Sequence, residues 1–265
     1  MGTGLPTEVR HGGFGWASGK LDCLMNYLEL CQFVVLEADI SNGGPTTVLD
    51  QQGDFHKVTR WVSNAWSRIQ SDRRQWEWMR REFRMPLVEG QVQYGYGECN
   101  DKETGLPLAR WSDWFLTNLY EAPYSLQING SSTTKRDCTY IRWADWRQLD
   151  YDIADNTQSY PSYFTINPQR KLVVYPIPSE ETYELNGEYR ISPQILTNDA
   201  DVPEGIDDSL HELIAWQALV YYGYEAIAQE ILALAHGEIR PLMQQMRRDY
   251  LPQITSVSSG RTLVP

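Results

Sequence analysis

The spacing of apolar positions changes twice along the chain, and the two changes divide it into three parts. Between Lys20 and Ala38, Leu21, Leu24, Met25, Leu28, Cys31 and Val35 recur at helical intervals, and Ser41-Asn42-Gly43-Gly44-Pro45 ends the helix they predict. From Asp54 to Met79, Val58, Val62, Ala65, Trp66, Ile69, Trp76 and Met79 mark one face of a second helix that no internal Pro or Gly interrupts. At ~1.5 Å per residue that helix is a rod of roughly 37 Å. Gly53 breaks the chain before it, and the Asp54 carboxylate is placed to cap its free amides.

From about Arg80 the period becomes two. Phe83, Met85 and Leu87 alternate with polar residues, Glu89-Gly90-Gln91 reads as a turn, and Val92-Gln93-Tyr94 follows as a strand. Further strands are predicted at Trp114–Leu119, Ser125–Ile128, Thr139–Trp143, Arg170–Tyr175 and Tyr183–Ile191. In the last, Tyr183, Leu185, Tyr189 and Ile191 share one parity. Asn167-Pro168-Gln169 and Pro178-Ser179-Glu180-Glu181 supply turns, and short strands separated by such turns predict an antiparallel sandwich or barrel-like sheet.

Helical spacing then returns. Leu210, Leu213, Ile214, Ala218 and Leu219 form an apolar face behind Asp207 and Asp208, either of which can cap. Gly223 predicts a bend, and Glu225 to about Tyr250 a last helix interrupted or kinked near Gly237 and Pro241. The organisation expected is α+β, a bundle of N- and C-terminal helices with an inserted antiparallel β-sandwich-like domain. Residues 1–19 form a glycine-rich arm, 20–80 and 201–250 the two parts of the bundle, 81–200 the inserted β domain and 251–265 a C-terminal tail.

Charge narrows the classes of function. A net charge of −12 argues against a general nucleic-acid binder, whose phosphate contacts need surplus Lys and Arg. Against that acidic balance, Arg73, Arg74, Arg80, Arg81 and Arg84 stand together near the end of the long helix, either as a solvated, salt-bridged face or as a charged subunit interface. Cys23, Cys31, Cys99 and Cys138 lack metal-ligand spacing and read as reduced thiols. No stretch has the apolar length of a signal peptide core or a membrane span, which argues against secretion and insertion.

Candidate chemistry is sparse. His11, His56, His211 and His236 have no metal-ligand spacing, and His211 reads as a packing or capping residue. Asp207-Asp208-Ser209 beside His211 invites a triad, but neighbours on one helical turn do not align nucleophile, base and orienting acid. Glu180/Glu181 and Asp150/Asp152 fall in a predicted turn and loop, and Gly12-Gly13-Phe14-Gly15 lacks the strand and the Lys-Ser/Thr of a phosphate loop. No catalytic residue, metal site or cofactor is expected, so the chain is read as not an enzyme.

A succession of segments carries a resemblance. Trp76-Glu77-Trp78, then Glu89 to Tyr94, Tyr160-Pro161-Ser162-Tyr163-Phe164, Leu172 to Pro178, Tyr183-Glu184-Leu185 and Tyr189-Arg190 lead through Leu196 to Pro203 into a helix near Asp208. In that order, over roughly residues 20–250, the chain resembles the head-to-tail adaptor family of tailed phages, a group that includes the tail tubular A proteins. The resemblance implies a virion protein of the neck, made in the host cytoplasm, whose copies form a ring, usually a dodecamer, between the portal and the tail or nozzle proteins. DNA would touch it only in passage through the lumen, where acidic charge keeps DNA from sticking, and no membrane is involved. In that picture the long helix packs against neighbouring copies, the basic Arg73–Arg84 segment meets a subunit or the portal, and the tail carrying Arg261, Leu263 and Val264 reaches the portal. A carbohydrate- or tail-fibre-binding sandwich lined by Trp and Tyr, and a cell-wall hydrolase of the phage neck, are the alternatives.

Overall fold

The computed structural model describes residues 25–40, 43–73, 76–116, 124–128, 135–152, 158–180 and 183–252. The arm at 1–19, the tail from 253 onward, and with them Arg74, Arg261, Leu263 and Val264, lie outside the described residues. The fold is α+β, with helices at both ends of the described chain and predominantly antiparallel sheets between them.

Helix α1 (Tyr27–Glu37) begins at a reciprocal cap in which the Glu29 amide donates to the Asn26 side chain and the Asn26 amide donates to the Glu29 carboxylate. Helix α2 (Gly53–Asp72) starts one residue earlier than expected, and Asp54 lies inside its first turn against Lys57 rather than capping it. It also stops seven residues before Met79. Arg73 turns extended, and Trp76 folds back so that its indole N–H donates to the Ile69 carbonyl at 3.0 Å, serving one of the carbonyls the helix end leaves free. Trp76 stacks on Trp78, which meets Tyr250 edge-on at 5.1 Å. The apolar spacing of Trp76 and Met79 is therefore spent on burial in a non-helical corner, and only a single 3₁₀ turn, Glu77–Met79, follows.

Among the described residues twelve strands follow in chain order: β1 (Arg80–Pro86), β2 (Gln93–Tyr94), β3 (Asn100–Asp101), β4 (Trp111–Trp114), β5 (Ser125–Ile128), β6 (Arg136–Asp137), β7 (Thr139–Tyr140), then, after helix α3 (Trp143–Asp152), β8 (Gln158–Ser159), β9 (Tyr163–Ile166), β10 (Leu172–Tyr175), β11 (Ile177–Pro178) and β12 (Tyr183–Ile191). The largest sheet has the order β3-β1-β12-β5-β6, with β4 pairing a further stretch of β12. A second runs β2-β10-β9-β7, and β8 pairs β11. Two ladders, β7–β9 and β8–β11, are parallel, which departs from the all-antiparallel expectation. Helix α3 was also not expected, since Thr139–Trp143 reads as a strand. Its anchor is Trp146, buried edge-on to Tyr175, with Arg142 and Asp145 paired at its start.

Strand β12 alternates buried and part-exposed residues along its whole length, as its sequence predicts. At its centre Gly187 opposes Phe83, and a Cβ there would sit 2.6 Å from the Tyr124 ring and 2.8 Å from Phe83. Tyr124 in turn stacks on Phe164 of the second sheet at 4.2 Å. One aromatic chain, Phe83–Tyr124–Phe164, thus ties the two sheets together, and it requires the missing side chain at 187.

Beyond β12 a 3₁₀ turn (Asp208–Leu210) leads into α4 (Glu212–Glu225), which is apolar on nearly every side and packs against α1 and α2. Neither Asp207 nor Asp208 caps α4 as expected, because His211 occupies that position. Gly223 is not a bend either. It lies inside α4, where a Cβ would meet Leu232 at 2.7 Å, so it lets α5 (Gln229–Tyr250) approach. The reversal falls later, at Ile227, whose φ is +55°. Helix α5 runs through Gly237 and Pro241 without interruption. Pro241 leaves the Gly237 carbonyl without its helical donor, and at exposed Gly237 no side chain shields that carbonyl from water. Leu251 packs on the core and its amide donates to Arg247, so the C-terminal tail begins later than residue 251.

Two glycines give opposite expectations. Gly187→Ala should destabilise the protein by about 1–3 kcal/mol in urea unfolding, because the core must shift to admit a methyl group. Gly237→Ala, with open space around its Cβ position, should stabilise by about 1 kcal/mol. Equal midpoints for Gly187→Ala and the parent chain would show that the aromatic chain is not tightly packed.

Candidate functional site

The basic segment Arg73–Arg84 is dispersed by the geometry of its own backbone. Arg73 sits at the end of α2 beside Asp72 at 3.5 Å. Alternation along β1 then sends Arg80 and Arg84 to one face and Arg81 to the other, with Phe83 and Met85. Arg80 lies over the Phe115 ring, 4.1 Å from its centroid, and pairs with Glu188 at 2.5 Å across the β1–β12 ladder. Arg84 has no ion-pair partner among the described residues.

Of these arginines, Arg80 and Arg81 border a groove of about 510 Å³ that is not basic. Its three cations, Arg80, Arg81 and Lys102, face five carboxylates, those of Glu77, Glu82, Asp101, Glu103 and Glu188. Lys102 pairs with Glu82 and Arg80 with Glu188, while Glu77 and Glu103 have no ion-pair partner among the described residues. Glu77 and Glu82 stand among the arginines in the sequence itself, whereas Asp101 and Glu103 arrive with β3 and its turn and Glu188 with β12, both distant in sequence.

Asp101 is the fixed point of this groove. Its carboxylate accepts from the Glu103 and Thr104 amides, the Thr104 hydroxyl and the Tyr189 hydroxyl, the last at 2.9 Å. Burial pushes the Asp101 carboxyl up, but the hydrogen bonds from Thr104 and Tyr189, with Arg81 nearby, outweigh it and hold the group below its ordinary value. The arrangement is a loop clamp: it fixes the turn that follows β3, and every oxygen is already committed.

Further unmatched charge lies on the outer faces of two long helices. On α2, His56, Arg60, Asn64 and Arg68 recur at four-residue intervals, all exposed, and neither Arg60 nor Arg68 has an ion-pair partner among the described residues. On α5, Glu230 and Glu238 are likewise exposed and unpaired among the described residues, with Leu234 between them 48% exposed. The α2 stripe is the face opposite Val58, Val62, Ala65, Trp66 and Ile69, and its four-residue spacing is the signal in the sequence that marks it.

Against this geometry, a family model described as SU10 adaptor protein matches residues 25–259. The chain belongs to that family of phage head-to-tail adaptors. No curated protein matches it. Two of the stretches that carried the resemblance have structural work in this adaptor-family chain. Trp76-Glu77-Trp78 ends α2, and Tyr189-Arg190 lies on β12 opposite Arg81 and Arg80.

The remaining candidates are packing elements. His211 is buried: its Nδ1 accepts the Met25 amide at 3.2 Å, its Nε2 has no partner among the described residues, and burial lowers its pKa. Cys31, Cys99 and Cys138 are free and buried, and burial pushes the thiols of Cys99 and Cys138 up to about 12, where they are poor nucleophiles. Cys23 and the Glu180/Glu181 pair fall partly or wholly outside the described residues. Among the described residues, no group of three or more His, Cys, Asp or Glu could hold a metal ion, and no helix is long and apolar enough to cross a membrane.

Asp101→Asn should cost about 1.5–3 kcal/mol at neutral pH, since the bonds it removes are made to a charged group. A carboxyl held low when folded contributes stability above its unfolded value and loses it as pH falls through the lower folded value. Unfolding curves of parent and variant should therefore converge below about pH 4, and a gap that stays constant into acid would contradict the clamp.

Proposed function

We propose that this protein is a structural head-to-tail adaptor of a phage virion, a ring that joins the portal to the tail and passes DNA through its lumen. The family match over residues 25–259 carries the reading. In it, α1, α2, α4 and α5 form the helical bundle and the sheets form the inserted sandwich-like domain on the tail side. The ring is most simply a dodecamer located at the virion neck, its partners are the portal protein, tail or nozzle proteins and further copies of itself, and the chain is not an enzyme.

Three features of the molecule agree with that reading. The net charge of −12, repeated around a ring, would repel the DNA backbone and keep the lumen free of adhesion. Two 20- and 22-residue helices leave long charged faces unmatched, as subunits of an assembly do before they meet. Among the described tryptophans, Trp66, Trp76, Trp114, Trp146 and Trp216 are buried and Trp61, Trp78, Trp111 and Trp143 half-buried, so the carbohydrate-binding alternative has no fully exposed tryptophan among the described residues.

Native mass spectrometry and negative-stain imaging of the purified protein, alone and with its portal, test the proposal. Closed rings, either free or formed on the portal, are the expected result. A chain that stays monomeric even with the portal present would overturn it. Removing residues 253–265, which follow the last helix, should leave the unfolding midpoint unchanged and weaken portal attachment at least tenfold. Unchanged co-assembly would show that Arg261, Leu263 and Val264 are dispensable.

A further inference from the structure

The ring reading leaves open which surfaces meet, and the charge pattern of the two outer helices answers it. Helix α4 is almost wholly enclosed, with α1, α2 and α5 packed around it. Helices α2 and α5 both run antiparallel to α4. Lys57 near the start of α2 pairs with Glu225 at the end of α4, and Arg247 near the end of α5 reaches Asp72 at the end of α2. Each helix turns its apolar stripe to the core, and so each turns its opposite face outward.

Those outward faces differ in sign. The outward face of α2 carries Arg60 and Arg68 with no carboxylate between Asp54 and Asp72, although the chain has 35 acidic residues. The outward face of α5 carries Glu230 and Glu238 over its first half, where exposed Arg240 flanks Glu238 and leaves the balance acidic, and Arg248, paired with Asp249, follows near its end. In both pairs the residues are eight apart, about 12 Å along a helix axis. All four are exposed and have no ion-pair partner among the described residues. Between the two glutamates lie half-exposed Leu234 and exposed Gly237, so the backbone there is open to close approach.

We propose that the outward face of α2 in one copy docks on the outward face of α5 in the next, with Arg60 and Arg68 against Glu230 and Glu238 around Leu234. This rests on the ring reading. Two different patches that meet head to tail propagate in one direction, the kind of contact that closes into a ring when its rotation allows. A second copy is a better occupant than DNA, because two arginines on a chain of net charge −12 make a poor phosphate-binding surface, whereas they match an acidic copy of the same chain.

Charge exchange tests it. One variant carries Arg60→Glu and Arg68→Glu, the other Glu230→Arg and Glu238→Arg. All four sites are exposed, so both variants should keep the parent's unfolding midpoint. Each variant alone should need at least tenfold more protein to assemble, measured by native mass spectrometry with or without portal. Mixed in equal amounts they should recover assembly as rings in which the two variants alternate. Rings formed normally by either variant alone would overturn this interface while leaving the ring reading intact. Loss of duplex DNA binding in the α2 variant with unchanged assembly would overturn it in favour of a nucleic-acid surface. Parent protein that forms no ring even on the portal would overturn both.

Discussion

The ladder between β1 and β12 is the contact on which the rest of the molecule depends. It pairs seven residues of β1 with β12 in one register, from Arg80 opposite Arg190 to Pro86 opposite Glu184, and so closes a loop of about a hundred residues. Because β1 follows α2 and β12 precedes the segment leading to α4, the same ladder draws the two ends of the helical layer together. Gln194, just past β12, then bonds directly to α2. Its amide donates to the Gln70 side chain, and its side-chain oxygen accepts from the Trp66 indole. A shift of one residue in this register would turn Phe83 and Met85 to solvent and separate Gln194 from its partners.

That dependence accounts for where the sequence was readable. Strand β12 was visible because one of its faces is buried and the other is not, so burial writes a period of two into its residues. The opening of α2 was visible because its buried residues recur at the helix period. The end of α2 was not, because Trp76 and Met79 keep helical spacing while a tertiary corner with Trp78 and Tyr250 takes them out of the helix. Helix α3 has only one buried anchor among its described side chains, Trp146, too few to mark a period. Gly223 looked like a bend because its neighbour Leu232 belongs to a later helix.

The arginine run was legible in the sequence, but the environment that folding gives it was not. Arg80 and Arg81 share a groove with local Glu77 and Glu82 and with Asp101, Glu103 and Glu188, which only folding brings near, while Arg73 lies beside Asp72 and Arg84 has no ion-pair partner among the described residues. Local density of one sign in sequence says little about local potential when strands from distant segments interleave. Charge spaced by the helix period on a solvent face, as at Arg60 and Arg68, survives folding as a patch because the helix itself holds it there.

A register-locked sheet pair carries a helical layer in which the α2 face is basic and the α5 face is acidic over its first half, the two faces proposed to meet between copies. A reconstruction of the protein assembled on its portal, at a resolution that separates helices, tests this most directly. It should show a closed ring in which α2 of each copy lies beside α5 of the next. A ring held together by its sheets, with α2 and α5 both facing solvent, would contradict it.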